Sequence, residues 1–278
     1  MTTPLARCGW RAAVAAGLLC AVSVAAAADA GPLIERALAG EHRSAANRAR
    51  DAYRHPQETL LFFGLRPDMH VVEIWPGGGW YTEVLAPVLR ERGRLYAAHF
   101  PADESASRFQ RDSREAFAAK LASRPALYDR IVITELQLPA RATIAPPGSA
   151  DLVLTFRNVH NWTAAGTDEA AFRAFFAALK PGGVLGVVEH RAPDGTPLEV
   201  MRETGYMSEA YVIALAEKAG FRLAGRSEVN ANPRDTRDHP RGVWTLPPTL
   251  RLGDQDRAKY LAIGESDRMT LRFVKPAP

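Results

Sequence analysis

The chain has 278 residues, 47% of them hydrophobic, with 35 basic against 31 acidic side chains. A chain of this size buries about 70% or more of its unfolded surface and supports one or two domains. Its 21 glycines and 20 prolines exclude collagen-like and mostly disordered chains, and a net charge of +4 spread along the chain is no nucleic-acid footprint.

Residues 1–30 have the pattern of a secretory signal. Arg7 and Arg11 form a positive start, Ala12 to Ala28 is an uncharged apolar run, and Ala26-Ala27-Ala28 and Ala28-Asp29-Ala30 offer two small-residue cleavage sites. An uncleaved anchor is the rival, because 17 Ala-rich residues reach the lower limit of a membrane span. Lipidation at Cys20 is disfavoured by Leu19, which stands where that signal has a small residue. Both cysteines, Cys8 and Cys20, lie in this segment, so the remainder has no thiol for a disulfide, a thiolate metal site or a nucleophile. Removing Arg7, Arg11 and Asp29 with it leaves 33 basic and 30 acidic side chains. The expectation is a periplasmic or secreted protein without stable membrane insertion after cleavage.

A helical extension fills residues 31–66. Pro32 to about Arg54 is expected as one basic helix with Arg43, Arg50 and Arg54 on one face, either solvated or facing an anionic ligand. Pro56 suits the first turn of the next helix, which Gly64 stops. Residues 67–278 form the main domain. Strands are expected at Met69–Ile74, Arg94–His99, Arg130–Thr134, Asp151–Phe156, Val184–Glu189, Phe221–Val229 and Met269–Val274. Between them come helices from about Trp80 to Arg92, kinked at Pro87, and at Asp103–Leu121, Asp168–Lys180 and Ser208–Ala219. Phe172, Phe175, Phe176 and Leu179 give the third of these a buried stripe. The alternation implies a parallel α/β sheet covered on both faces. Asn230–Leu250, with four prolines and no periodicity, is either a lid over the carboxyl-end cleft, bringing His239, Arg241 and Trp244, or a rigid connection.

Ligands of open α/β sheets lie outside the carboxyl ends of the strands, and Glu73, His99, Glu135, Arg157 and Glu189 stand at or near such ends. The run Val71-Val72-Glu73-Ile74-Trp75-Pro76-Gly77-Gly78-Gly79-Trp80 ends a strand in an acid, turns through glycines and starts a helix. Glycines allow close backbone approach, and the helix start offers free N–H donors. Trp80-Tyr81 stands where a phosphate loop has Lys-Ser/Thr.

That run resembles the first motif of class I S-adenosylmethionine-dependent methyltransferases. Leu154-Thr155-Phe156-Arg157-Asn158-Val159 is similar to the segment after strand four in quinone-biosynthesis C-methyltransferases, and Ala178-Leu179-Lys180-Pro181-Gly182-Gly183 to the turn before strand five. With Arg50-Asp51, Arg54-His55-Pro56, His160-Asn161-Trp162 and Glu265-Ser266-Asp267-Arg268, the chain from about 45 to 275 resembles a group of exported predicted methyltransferases. The resemblance implies a Rossmann-like sandwich: a mostly parallel seven-stranded sheet with helices on both faces. It implies S-adenosylmethionine as cofactor and a small or apolar molecule as methyl acceptor, with no nucleic acid as partner. Glu73, Gly77 and Gly79 would line the methionine end, Glu135 would lie near the adenine, and Arg157 and Asn158 beside the sulfonium.

Two residues depart from that pattern. Trp75 replaces the first glycine, either obstructing the pocket or facing the core. His99 stands near the place of the acid that binds the ribose diol, and a neutral imidazole accepts only one hydrogen bond. In this fold the strands before His160 and His190 are neighbours, about 4.8 Å apart. The two histidines are then hydrogen-bonded cleft residues, a base at His160, or ligands of a shared metal; no tight His/carboxylate spacing marks a metal site. Trp75, Trp80 and Trp162 pack in the core or form an aromatic wall. His160 and Arg157 are the candidate catalytic residues; Glu73, Trp75, Gly77, Gly79, His99, Glu135 and Asn158 are the candidate cofactor contacts. The alternative is a catalytically inactive binding protein of the same fold for a small ligand or metal. Acceptor and oligomeric state are not legible.

Overall fold

The computed structural model describes residues 21–277, with side chains from Ala30 onward. The positive start, both cysteines and the lipidation site of the expected signal lie outside the described residues. No helix among those described is long and apolar enough to cross a membrane.

Residues 32–54 do not form one basic helix. The chain runs through α1 (Ala21–Ala39), α2 (Ala45–Arg48), α3 (Asp51–Arg54) and α4 (Pro56–Phe62). Ser44 Oγ accepts from the Asn47 amide and starts a new helix, and His55 turns the chain at φ 40° before Pro56. The arginines therefore do not share a solvated face: Arg43 and Arg54 are each 1% exposed. Arg43 makes a two-pronged bond to Asp51 at 2.6 and 2.7 Å.

The main domain continues with β1 (His70–Ile74), α5 (Thr82–Leu89), β2 (Arg94–His99), α6 (Arg108–Ser123), α7 (Pro125–Tyr128) and β3 (Val132–Glu135). Then follow β4 (Ala150–Phe156), α8 (Val159–Ala165), α9 (Asp168–Ala178), β5 (Leu179–His190), α10 (Leu198–Thr204) and α11 (Glu209–Lys218). The chain ends in β6 (Arg222–Ser227), β7 (Pro240–Val243), α12 (Arg257–Ile263) and β8 (Arg268–Val274). The seven strands other than β7 form one sheet, ordered β3-β2-β1-β4-β5-β8-β6. Only β8 runs antiparallel to its neighbours. Helix α6 starts later than the hydrophobic pattern suggests, because Ser107 and Gln110 close a capping box there.

Alternation along the strands splits the core. Val72, Ile74 and Val153 pack with Phe172 and Phe175 of α9 on one face. Val71, Leu152 and Leu154 pack with Ile34 of α1 and Val84 of α5 on the other. The extension lies directly on the sheet at Gly186, where an added Cβ would stand 2.7 Å from Phe63 Cγ. Residues 230–250 are pinned rather than free. Asn230 Nδ2 donates to Thr59 and Thr270 at 3.0 and 2.9 Å. The Asp235 carboxylate accepts from Tyr206, His239 and the amides of Arg237 and Asp267.

Candidate functional site

Strand order reverses between β1 and β4, so the loops after them diverge and leave a crevice at their carboxyl ends. Two cavities open there, sharing a wall of Arg50, Arg54 and Arg157. The first, about 250 Å³, is lined by Trp75, Gly77, Gly78, Trp80 and Asn158. The second, about 190 Å³, is lined by His160, His190, Trp244 and Ser266.

The glycine loop supplies the floor of the first cavity. Gly77 and Gly79 sit at φ 57° and 75°. A Cβ on Gly77 or Gly78 would meet nothing within 4 Å, whereas one on Gly79 would press on Phe117 at 3.1 Å. Gly79 is thus a packing glycine, and Gly77 and Gly78 leave room for a ligand. Asn158 spans to β1, donating to the Ile74 carbonyl at 3.1 Å.

Several expected cofactor contacts stand elsewhere. Glu73 does not line either cavity: it is buried beneath the loop and accepts from Thr82 Oγ1 at 2.6 Å. Burial raises its pKa to about 7 against the pull of that hydrogen bond and of Lys120. His99 is fully buried, accepts the Phe100 amide at Nδ1, and packs on Phe117. Burial lowers its pKa to about 4, so the ring is neutral at pH 7. It lines neither cavity. Glu135 lies at the end of β3 and is held by Arg141 at 2.6 Å, also outside both. The resemblance gives these three their roles by position at strand ends, which fixes the level along the sheet but not the side a residue faces.

Trp75 takes up the space those residues leave. At φ 44°, its indole reaches across the end of β2, donates to the Leu136 carbonyl at 3.1 Å and packs on Phe100 and Trp162. It both faces the core and walls the first cavity. Trp80 belongs to the opposite face of the sheet, so the three tryptophans form no single wall. Its ring is flanked by the guanidiniums of Arg43 and Arg54, 5.2 and 4.8 Å from its centroid, and its Nε1 donates to Asn47.

His160 and His190 do meet, with ring centroids 5.2 Å apart. Glu189, fully buried, holds the first of them. Its Oε1 stands 3.0 Å from His160 Nδ1, and it also accepts the amides of Val159, His160 and His190. The carboxylate fixes Nδ1 as donor, leaving His160 Nε2 as an acceptor without a protein partner among the described residues. His190 Nδ1 lies 2.6 Å from Ser266 Oγ. Burial, then His160 and nearby arginines, push the His190 pKa well down and keep it neutral. Ligand atoms of His160, Glu189 and His190 lie within 4.8 Å of one another, the spread of a metal cluster. Both Glu189 oxygens are already engaged, however, and three guanidiniums line the same cavity. The donor set favours acid–base work over a cation.

Sequence reasoning missed Glu265, the counter-charge of the arginine wall. Arg50 and Arg54 each reach it at 2.9 Å. The signal was the polar run Glu265-Ser266-Asp267-Arg268 directly before a strand, whose four residues are all buried.

No protein-family model matches the sequence, and no curated protein matches it significantly. Solved structures do match. The SAM dependent methyltransferase from Aquifex aeolicus is similar at a TM-score of 0.53 and 17% identity, over 82% of this chain and 93% of that one. The 4+2 cyclase SpnF is similar at 0.56 and 16%, over 89% and 93%. The CurJ carbon methyltransferase is similar at 0.52 and 12%, over 85% and 57%. The fold is that of the Rossmann-like class I methyltransferases. One of these three neighbours is described as a cyclase, so fold alone does not settle chemistry.

The cofactor this fold implies is S-adenosylmethionine. Open space over Gly77 and Gly78, the Asn158 amide and the Arg50 guanidinium suit its amino-acid end. Trp75 lines the same cavity and narrows it where the motif it resembles has a glycine.

Proposed function

We propose that the chain transfers a methyl group from S-adenosylmethionine to a small molecule held in the second cavity, with His160 as the base. The observation that carries this reading is the His160–Glu189 pair opening on a cavity that adjoins the glycine loop. When bound, the cofactor supplies a methyl group on a sulfonium. The chain's own residues do the rest. Gly77, Gly78 and Asn158 seat the amino-acid end, with Arg50 toward its carboxylate. His160 Nε2 takes a proton from the acceptor, and Glu189 stabilises the imidazolium that forms. Arg157, between the cavities, positions the acceptor, while Trp244 and Pro247 shield it from water. Export to the periplasm or beyond belongs to the same proposal, and N-terminal sequencing of the mature protein tests it: a start near Gly31 is expected, and an intact Met1 overturns it.

Calorimetry with S-adenosylhomocysteine tests the cofactor. The expected result is one site per chain, and no binding by either the parent or Trp75→Gly overturns it. A binding role without methyl transfer is the second reading, favoured by Trp75 in the first cavity. Label transfer from methyl-labelled S-adenosylmethionine into a small-molecule extract separates the two. Under the first reading His160→Gln slows that transfer by about 10²–10⁴-fold.

A further inference from the structure

The wall between the cavities carries more positive charge than the chain balances. Glu265 receives Arg50, Arg54 and Arg268 at 2.9, 2.9 and 3.0 Å. Arg157 makes no ion pair within 4.0 Å among the described residues. Four guanidiniums thus gather around one carboxylate. Arg54 Nη2 and Arg157 Nη1 are buried without any hydrogen-bond partner, and both residues border the second cavity. A buried N–H without an acceptor is costly, and an anionic oxygen removes that cost with a charge-assisted bond. Burial pushes the pKa of both arginines down, and the neighbouring cations add to that push. Across the cavity the lining changes character: Val243, Trp244 and Pro247 present an apolar surface.

We infer that the acceptor is a small molecule with a carboxylate or phosphate head, received by Arg54 and Arg157, and an apolar body lying against Trp244 with its reacting end toward His160. This rests on the methyl-transfer reading for the word acceptor, but the anion site stands on its own geometry.

The test uses inorganic phosphate and malonate as probes, titrated into the full chain at constant ionic strength and followed by calorimetry and thermal unfolding. The expected result is saturable binding of one or both that raises the melting temperature. Arg157→Gln weakens it about tenfold or more. Arg54→Gln weakens it too, which guards against misfolding of one variant, while Arg226→Gln, an exposed arginine away from both cavities, leaves it unchanged. Phosphate alone binding marks a phosphate head; malonate alone marks a carboxylate. Binding of neither probe, or equal binding by parent and Arg157→Gln, overturns the inference. S-adenosylhomocysteine in the same titrations keeps the two proposals apart. Simultaneous binding places the anion on the His160 side, and competition overturns that placement. An anion site in a protein that does not bind S-adenosylhomocysteine sustains the inference while the methyl-donor reading fails.

Discussion

Glu189 Oε1 lies 3.0 Å from His160 Nδ1, and the same carboxylate accepts the amides of Val159 and His160, the first two residues of α8. One buried acid therefore sets both the tautomer of the ring and the start of the helix that carries it. Turning the ring away from the cavity breaks its bond to Oε1, while Oε2 keeps hold of the helix start.

Glu189→Gln keeps the shape and removes the charge. It is expected to lower stability by roughly 1–3 kcal/mol, measured by urea unfolding. Nitrogen NMR of His160 is expected to change from a single Nδ1-protonated tautomer to a mixture. An unchanged tautomer would show that the helix start alone orients the ring.

Glu265 predicts the acid limb of stability. Burial raises its pKa, but Arg54, Arg268, Arg157 and Arg50 outweigh that and hold it at about 2 against an ordinary 4.5. A folded-state value below the unfolded one means stability that is present above pH 4.5 and lost as pH falls toward 2. A shift of that size corresponds to roughly 3 kcal/mol. Glu265→Gln is expected to flatten this limb and, by leaving the guanidiniums uncompensated, to cost roughly 3–5 kcal/mol at pH 7. Chemical unfolding at stepped pH measures both.

Glu73 slopes the other way. Its pKa is raised by burial to about 7 from 4.5, so the folded protein binds its proton more tightly than the unfolded chain. The stability tied to that proton is complete below pH 4.5 and lost as pH rises through 7. Glu73→Gln is expected to remove this fall and to be less pH-sensitive than the parent between pH 5 and 8. An identical slope in both proteins would mean that Glu73 is ionised throughout.

Trp75→Gly widens the first cavity, and glycine accepts the φ of 44° without strain. S-adenosylhomocysteine is expected to bind about tenfold more tightly to the variant, a difference of roughly 1.4 kcal/mol. Weaker binding to the variant would make Trp75 a contact of the ligand rather than an obstacle to it. The unfolding temperature is expected to fall, because the Leu136 hydrogen bond and the contacts with Phe100 and Trp162 are lost.

Asp235 ties residues 230–250 to the domain. The sequence leaves open a lid or a rigid connection, and the buried bonds to Tyr206, His239 and the Asp267 amide make the segment part of the fold. Asp235→Ala is expected to cost roughly 1–3 kcal/mol and to raise hydrogen exchange across 231–250.

The parts of this molecule that sequence reveals are those with local causes. Met69–Ile74 reads as a strand because it is a mostly apolar run before a glycine turn, and α9 reads as a helix because its Phe residues recur at helical spacing. The meeting of His160 and His190 follows from two strand ends that the resemblance places side by side. The arginine wall has no local cause. Arg54 and Glu265 are 211 residues apart, and a basic stretch with helical spacing looks solvated until its partner is known. Glu73, His99 and Glu135 stand outside the linings of the two cavities for a related reason. Strand-end position says that a residue lies near the crevice, but Thr82, the Phe100 amide and Arg141 decide where each side chain points.

The distance between Arg54 and Glu265 also dictates an order of events. A chain made or exported N-terminus first displays its arginines long before it has the acid that neutralises them. Strands β1 to β4 need nothing from the last residues in order to pair, but the second cavity has no complete wall until Glu265 and Ser266, just before β8, come into place. A product that stops short of residue 265 would hold most of the parallel sheet and a bare cationic groove. The second cavity is the last part of the crevice to be completed.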